Sequence, residues 1–295
     1  MLESRHKKFS YYALLLPALI LFLFVIVFPI GMSGVLSLTR WKNYQMQGFV
    51  GLANYGKILT DASFLKALGN NGQIVLISVF GQIPLGILLA YVLFRKFVKG
   101  VKFFEMMIFL PITISSVVVA LLWNRIFSPV GVYTALVRSI SGNPDYVMRI
   151  SESPYFAMIP ILFVLLWMHT SLYMVMFLAN MQRIPKSSLE AARIDGAKEG
   201  TILIKIVLPA LANVIFTSSI FAISGSLKSF DLIFAMTGGG PVDYTNVMSI
   251  YLYKHTFTYN NYGYGSAVSL IIVALSVGLI SFGRGIYGHF QKKFD

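Results

Sequence analysis

Hydrophobic residues in this chain gather into six long runs, which polar stretches containing glycine and proline separate. A run of about 20 apolar residues is the length that an α-helix needs to cross a bilayer core of about 30 Å. Backbone amides in lipid must pair within the segment, so continuous runs predict helices, whereas barrel strands would alternate. We therefore expect an all-α bundle of six transmembrane helices, at approximately 11–36, 74–94, 106–127, 155–180, 212–236 and 264–287.

The composition agrees with a membrane protein, because 57% of the residues are hydrophobic and only 12% are charged. Arg5, Lys7 and Lys8 before the first run resemble the start of a signal peptide, but the run is longer than an apolar signal region of about 7 to 15 residues. We interpret it as a retained span. No internal repeat or soluble domain is evident, so residues 1–295 are expected to form one transmembrane domain.

The net charge of +13 is distributed by loop and does not form a basic cluster with interleaved aromatic residues. This distribution argues against a nucleic-acid partner. With the N-terminus inside, fifteen lysines and arginines fall on the cytoplasmic side and eight on the outer side. The positive-inside rule therefore predicts a multi-pass protein with both termini in the cytoplasm, where the basic loops would also contact anionic lipid. Cysteine is absent, which excludes disulfide and thiolate chemistry.

An outer segment follows the first span. Its residues 54–68 have apolar side chains at helical spacing, so we expect a helix there that lies along the membrane surface.

The loop 182–209, between the fourth and fifth spans, carries several helix signals. Ser187 and Glu190 have the spacing of a capping box, and Gly196 favours the left-handed conformation that ends a helix. These signals predict a helix of two turns over 188–195 and a second helix from about Ala197 to Pro209. Because 15 basic residues place this side in the cytoplasm, the short helix would lie beneath the bilayer.

The surface of the short helix has the composition of a docking site. Ala191 and Ala192 add almost no side chain, so a partner can approach closely, and charged residues stand beside them at Glu190, Arg193 and Asp195. Glu190 has two compatible interpretations at this stage, as a helix cap and as a contact to a partner.

The loop resembles the EAA loop of bacterial binding-protein-dependent ABC importers. The matching positions are Glu190, Ala191, Ala192, Gly196, Ile206, Val207, Leu208 and Pro209. The resemblance implies a permease in the bacterial plasma membrane, in which the loop 182–209 forms a coupling helix that sits in a cleft of an ATP-binding subunit. It also implies a second permease chain, two ATP-binding subunits and an extracytoplasmic solute-binding protein. No phosphate loop is present, so ATP and Mg²⁺ would be bound by the partner, and this chain is expected to be neither an enzyme nor a cofactor protein.

A second resemblance narrows the cargo. The stretches 229–241 and 49–55 are similar to the first permease subunit of carbohydrate importers, the branch that takes maltose, glycerol phosphate and oligosaccharides. The resemblance implies sugar or oligosaccharide import. A permease for peptides, amino acids or phosphate esters stays open, because such systems share the EAA loop.

Polar residues within two spans are candidates for the substrate path. Lys228 and Asp231 are spaced to lie on one helix face, where they would either pair with each other or line a cavity. Ser224 lies just before them, in a stretch that would loosen the helix. The fourth span offers aromatic and hydrogen-bonding groups suited to a neutral sugar: Trp167, Ser171, Tyr173 and Asn180. His169 has no second ligand at metal spacing, so no metal site is expected.

Two other functional classes are disfavoured. A membrane enzyme needs convergent carboxylates, histidines or a nucleophile at one membrane face, and the acidic residues here are scattered over loops. A gated channel would need a filter loop or an arginine-rich sensor helix, and neither pattern is found.

Overall fold

The computed structural model describes residues 14–42, 44–146 and 156–291. The described chain is almost entirely helical, which confirms the predicted all-α class. Its helices are α1 Leu14–Ser37, α2 Ala53–Thr60, α3 Ala62–Phe94, α4 Val101–Thr113, α5 Ser116–Ile126, α6 Val132–Ser141, α7 Met158–Met181, α8 Lys186–Ile194, α9 at 199–210, α10 Ala212–Leu227, α11 Asp231–Thr237, α12 Met248–Tyr253 and α13 Tyr262–Gln291. Among the described residues, π-helical turns occur within α1 at Leu23–Val27, within α3 at Ser78–Gln82, within α9 at Leu203–Val207, and after α12 at Lys254–Thr258.

Five stretches of the described residues are long and apolar enough to cross a membrane, or six if the bent pair α4 and α5 forms one span. Four of the predicted spans correspond to α1, α3, α7 and α13. The predicted starts at 11 and 155 lie outside the described residues. The number of spans therefore agrees with the hydropathy pattern, while the shape of individual spans differs.

The prediction of one surface helix over 54–68 is wrong. Helix α2 ends at Asp61, whose backbone is extended, and the residues after it belong to the long helix α3. The second span is thus 33 residues long and begins well before residue 74. Polar residues such as Asn70 and Asn71 lower the hydropathy of its first turns, so the apolar run starts later than the helix. These residues are nevertheless buried, where they are hydrogen-bonded within the protein.

The third predicted span, 106–127, is not one straight helix. Helices α4 and α5 meet at an angle of 97°. Ile114 and Ser115 between them have extended ψ values, and Pro111 removes a backbone donor from the preceding turn. The fifth span is interrupted as well, since α10 ends at Leu227 and α11 begins at Asp231.

The chain partitions into two compact units, Met1–Asp61 with Leu252–Ala274, and Ala62–Tyr251 with Leu275–Asp295. The prediction of a single transmembrane domain stays a prediction. In the first unit, strands β1 Thr39–Lys42 and β2 Gln45–Phe49 form an antiparallel hairpin. The buried Asn54 amide donates to the carbonyls of Ser37 at 2.7 Å and Thr39 at 2.9 Å, and so ties α2 to the end of α1.

The second unit contains two hydrophobic clusters, one around α3, α7 and the 182–211 loop, the other around α5, α7 and α11. Helices α3 and α7 approach closely at Gly86, where an added Cβ would lie 2.8 Å from Tyr173 Cβ and 3.0 Å from the Met174 nitrogen. A glycine without a side chain permits this backbone approach, as is common between transmembrane helices.

Asparagine side chains pair the backbone groups that the helix breaks leave open. Asn71 donates to the Ser226 carbonyl at 2.8 Å and accepts from the Met248 amide at 2.8 Å. Asn70 donates to the Asn246 carbonyl at 2.7 Å, and Asn124 donates to the Met236 carbonyl at 3.1 Å. Buried backbone groups need such partners, so these amides fix the region where the fifth span is interrupted.

Candidate functional site

Helix α8 is attached to the helix bundle mainly by one buried apolar side chain. Leu189 is buried in the same cluster as Tyr91 and Leu93 of α3 and Met181 of α7. The following run α9 adds Ile202 to this cluster, also buried. The loop is therefore a packed part of the second unit, with one face of α8 directed inward.

The opposite face of α8 is exposed. Glu190, Ala191 and Asp195 are all exposed, and Ile194 exposes 87% of its surface beside them. Ala192 is half-buried against the core cluster, so only the first of the two alanines lies on the outer face. The arrangement presents an apolar side chain, a methyl group and two carboxylates on a helix that the core holds in place.

Gly196 ends α8 as predicted. Its φ is +79°, in the left-handed region that glycine adopts without strain. The Gly196 amide donates to the Arg193 carbonyl at 3.0 Å, and the Ala197 amide donates to the Ala192 carbonyl at 2.9 Å. These two bonds form a Schellman motif, which satisfies two of the last carbonyls of the helix and turns the chain into α9.

The predicted capping box is wrong. Helix α8 begins at Lys186 with Pro185 at the N-cap position, and no side chain caps it. Ser187 therefore lies inside the first turn, and Glu190 lies a full turn into the helix instead of at the third position. Pro185 causes the shift, because its fixed φ suits a helix start and moves the boundary two residues earlier. The cap interpretation of Glu190 is therefore wrong, and its contact to a partner stays a prediction.

The other predicted coupling residues lie in different places. Ile206 and Leu208 pack against the core cluster, while Pro209 is exposed at the start of the last turn of α9. Arg193 of α8 donates a hydrogen bond to Oε1 of Glu199, the first residue of α9, at 3.3 Å.

A hydrogen-bonded ion cluster connects the loop to the end of α3, and no pattern in the sequence predicted it. Glu199 Oε2 accepts from the Tyr91 hydroxyl at 2.6 Å and from Arg95 Nε at 2.9 Å. A second guanidinium nitrogen of Arg95 pairs with Glu199 Oε1. The partners are 104 and 108 residues apart in the chain, so no local spacing signals them.

The cluster perturbs the Glu199 carboxyl group. Burial raises its pKa, but the hydrogen bonds from Tyr91 and Arg95 and the Arg95 charge outweigh burial and hold the pKa of Glu199 below its usual value. The carboxylate therefore stays ionised and paired at neutral pH.

A small polar cavity of about 200 Å³ lies beside the interruption of the fifth span. Three of the predicted substrate-path residues line it, namely Tyr173, Lys228 and Asp231. The helix break between α10 and α11 brings Lys228 and Asp231 to this cavity from two separate helix ends, so the prediction that they share one helix face is wrong. Within the described residues they form no ion pair with each other.

The remaining predicted path residues do not reach the cavity. Trp167 packs edge-on against Trp123 with ring centroids 5.5 Å apart. Ser171 and Asn180 donate to carbonyls of their own helix, at 3.1 Å and 2.8 Å. Ser224 lies in α10, which continues past it to Leu227.

The cavity also contains polar side chains that the sequence reading passed over. Ser78 and Gln82 of α3 line it, and Ser78 accepts a hydrogen bond from the Ser226 hydroxyl at 3.0 Å. Their four-residue spacing in an apolar run places them on one helix face and was the available signal. No group of three metal-ligating side chains occurs among the residues that the structure describes.

Comparisons with known proteins agree on one family. The profile of the family described as "Binding-protein-dependent transport system inner membrane component" matches residues 82–295. The chain is 34% identical over 276 residues to the multiple sugar-binding transport system permease protein MsmF of Streptococcus mutans, covering 93% of each chain. It is 32% identical over 271 residues to the lactose transport system permease protein LacF of Rhizobium radiobacter, covering 90% of this chain and 89% of the relative.

Solved structures share the fold. A chain of a bacterial ABC transporter involved in import of the acidic polysaccharide alginate superposes with a TM-score of 0.83 at 22% identity, covering 97% of this chain and 98% of that one. The alginate transporter in complex with its pentasaccharide-bound periplasmic protein gives a TM-score of 0.84 at 21% identity, covering 99% and 98%.

Proposed function

Because this chain belongs to the family of binding-protein-dependent transport system inner membrane components, we propose that it is the permease subunit of a sugar importer. We further propose that helix α8 is the site at which a separate ATPase binds. The protein is a multi-pass membrane protein of this transport family. Its spans would form half of a translocation path, and a second, homologous permease would form the other half.

The exposed face of α8 is the observation that carries the coupling role. A short helix that is held by Leu189 from behind transmits force as a rigid body, and the face with Glu190, Ala191 and Ile194 is open to a partner. Interfaces place an apolar anchor at their centre and polar groups at the rim, which is the arrangement on this face. Two ATP-binding subunits would bind ATP and Mg²⁺.

The outer partner would be a solute-binding protein. The alginate transporter that shares this fold has been seen in complex with a periplasmic protein. The loop charges support a cytoplasmic position for both termini and for α8, so the binding protein would dock on the opposite side of a bacterial plasma membrane.

The names of the relatives support a sugar cargo. Two of them are named as a multiple-sugar and a lactose permease. We assign the cavity beside Tyr173, Lys228 and Asp231 to the substrate path, since groups that can ionise within spans usually face a polar cavity.

A matched pair of isoleucines tests the coupling surface. Ile194 of α8 exposes 87% of its surface and Ile140 of α6 exposes 85%. We expect Ile194→Asp to weaken co-purification of the ATP-binding subunit about tenfold or more, because a charge replaces the interface anchor, and to abolish uptake. Ile140→Asp should leave the ATPase bound. Equal retention of the ATPase by both variants would remove the coupling assignment.

The cargo is tested with the purified complex in proteoliposomes. Loaded binding protein carrying a mono- or oligosaccharide should stimulate ATP hydrolysis, whereas amino acids and peptides should not. Stimulation by an amino acid alone would leave the permease assignment standing and overturn the sugar assignment.

A further inference from the structure

The carboxylate of Glu199 connects three elements at one point. It accepts hydrogen bonds from Tyr91 and Arg95 at the end of α3, and from Arg193 of α8, while Glu199 itself begins α9. Both carboxylate oxygens accept hydrogen bonds. Oε2 accepts from the Tyr91 hydroxyl and from Arg95 Nε, and Oε1 accepts from one guanidinium nitrogen of Arg95 and one of Arg193.

The two arginines differ sharply in burial. The Arg95 side chain is 6% exposed, and the Arg193 side chain is 52% exposed. A buried guanidinium that loses its counterion is left with an uncompensated charge, whereas an exposed pair contributes little. The strong link therefore runs between Arg95 and Glu199, and Arg193 adds a weaker link from α8.

The apolar contacts of the loop do not depend on this cluster. Leu189 and Ile202 are held in the core cluster by apolar packing, which requires no charge on Glu199. Apolar packing is non-directional and permits sliding, but charge-assisted hydrogen bonds fix distance and angle. Loss of the Glu199 charge should leave α8 folded and docked, yet free to move against α3.

We propose that Glu199 is a positioning residue that fastens the α8–α9 segment to the end of α3, so that a displacement of α8 reaches the second span directly as well as the fifth span through the chain. The proposal rests on the proposed function, in which the ATPase moves α8. Helices α3 and α7 already pack closely at Gly86, so a push on the end of α3 would also reach the fourth span.

The first test measures coupling. Glu199→Gln keeps the shape of the side chain and removes its charge, and Glu105→Gln of α4 is the control, since Glu105 makes no hydrogen bond or ion pair within the described residues. For the whole complex in proteoliposomes with sugar-loaded binding protein, we expect Glu199→Gln to keep ATPase binding and hydrolysis within about twofold, and to lower sugar uptake per ATP about tenfold. Glu105→Gln should match the unmodified complex.

A second variant removes the buried unpaired charge that Glu199→Gln would leave on Arg95. Glu199→Gln alone leaves Arg95 buried without a counterion, which by itself can lower the yield of complex. Arg95→Gln combined with Glu199→Gln replaces the ion pair by a neutral pair, which tolerates burial better. It should restore the yield but keep the low uptake per ATP.

The third measurement reports motion. The chain contains no cysteine, so spin labels can be placed at Leu88→Cys on α3 and Ser188→Cys on α8 without a background. Glu199→Gln should broaden the measured distance distribution between the labels, and Glu105→Gln should not.

The results separate the possible failures. If Glu199→Gln and the double variant both keep normal uptake per ATP, or the distance distribution stays narrow, the positioning role is overturned while α8 remains the ATPase contact. If Ile194→Asp retains the ATPase, the coupling role of α8 fails, and with it the premise on which this proposal rests.

Discussion

Asn71 shows at the scale of single residues how the interrupted span is stabilised. Its side chain is fully buried and pairs one carbonyl at the end of α10 with one amide at the start of α12. The Met248 amide has Asn71 as its hydrogen-bond partner, and a buried amide without a partner is costly away from water. The Ser226 carbonyl also accepts from the Ser229 amide at 3.3 Å.

We expect Asn71→Leu to lower the free energy of unfolding by about 1 to 3 kcal/mol, because it leaves the buried Met248 amide unpaired and removes one of the two hydrogen bonds to the Ser226 carbonyl. Thermal unfolding of the purified protein in detergent measures the effect. Asn180→Ala is the matched control, since Asn180 only donates within its own helix and should change the stability by less than about 1 kcal/mol. Similar losses in both variants would show that the Asn71 bridge is not stabilising.

Glu199 predicts a pH dependence of stability. Its pKa is lower in the folded protein than its ordinary value of 4.5. The carboxylate therefore contributes stability fully above its unfolded pKa, and this contribution is lost as the pH falls through the lower folded pKa. The unfolding temperature of the unmodified protein should exceed that of Glu199→Gln at neutral pH, and the difference should shrink below about pH 4.5. A gap for Glu199→Gln that stays constant across this pH range would contradict the linkage.

At the scale of elements, the end of α8 depends on backbone conformation. Gly196 has a positive φ of +79°, whereas Gly200 in α9 has no positive φ and has open space around its Cβ position. Gly196→Ala should destabilise the protein by about 1 kcal/mol, because a Cβ is disfavoured in the left-handed region. Gly200→Ala should stabilise it by about 0.5 kcal/mol, since alanine loses less entropy in a helix. Chemical denaturation of both variants measures the signs, and equal signs would refute the explanation.

The close contact between α3 and α7 depends on a glycine, Gly86, which has no side chain. Gly86 lies against the backbone of Met174, whereas Gly72 in the same helix has open space. Gly86→Val should cost about 1 to 3 kcal/mol, because the two helices must move apart to admit the added atoms. Gly72→Ala should be neutral or slightly stabilising by the same thermal assay. If Gly86→Val is tolerated as well as Gly72→Ala, the two helices do not rely on this close approach.

At the scale of the whole molecule, the loop charges predict which parts face the cytoplasm. The absence of cysteine allows single-cysteine labelling, with Ser188→Cys on α8 and Gln47→Cys on β2, both at exposed positions. In intact spheroplasts a membrane-impermeant maleimide should label only Gln47→Cys. Permeabilised spheroplasts should label both, and labelling of Ser188→Cys before permeabilisation would invert the proposed orientation.

The sequence predicted the fold class and the loop helix well because these depend on local patterns. Apolar runs of membrane-spanning length indicated helices, and Gly196 marked the end of α8. The start of α8 was misplaced because the capping signal at Ser187 competed with Pro185, which set the boundary instead. The bend between α4 and α5 lies inside an apolar run, where hydropathy does not register it. The break between α10 and α11 follows the stretch at Ser224 that was expected to loosen the helix.

What the sequence determined by itself is the number of apolar spans, the all-helical class and the family, because these follow from composition and short spacings. The tertiary structure alone decided which side of α8 is exposed, that Lys228 and Asp231 meet at a cavity from two helix ends, and that Glu199 holds Arg95. The physical reason is that burial and ion pairing depend on groups about a hundred residues apart in the chain, which only folding brings within hydrogen-bonding distance.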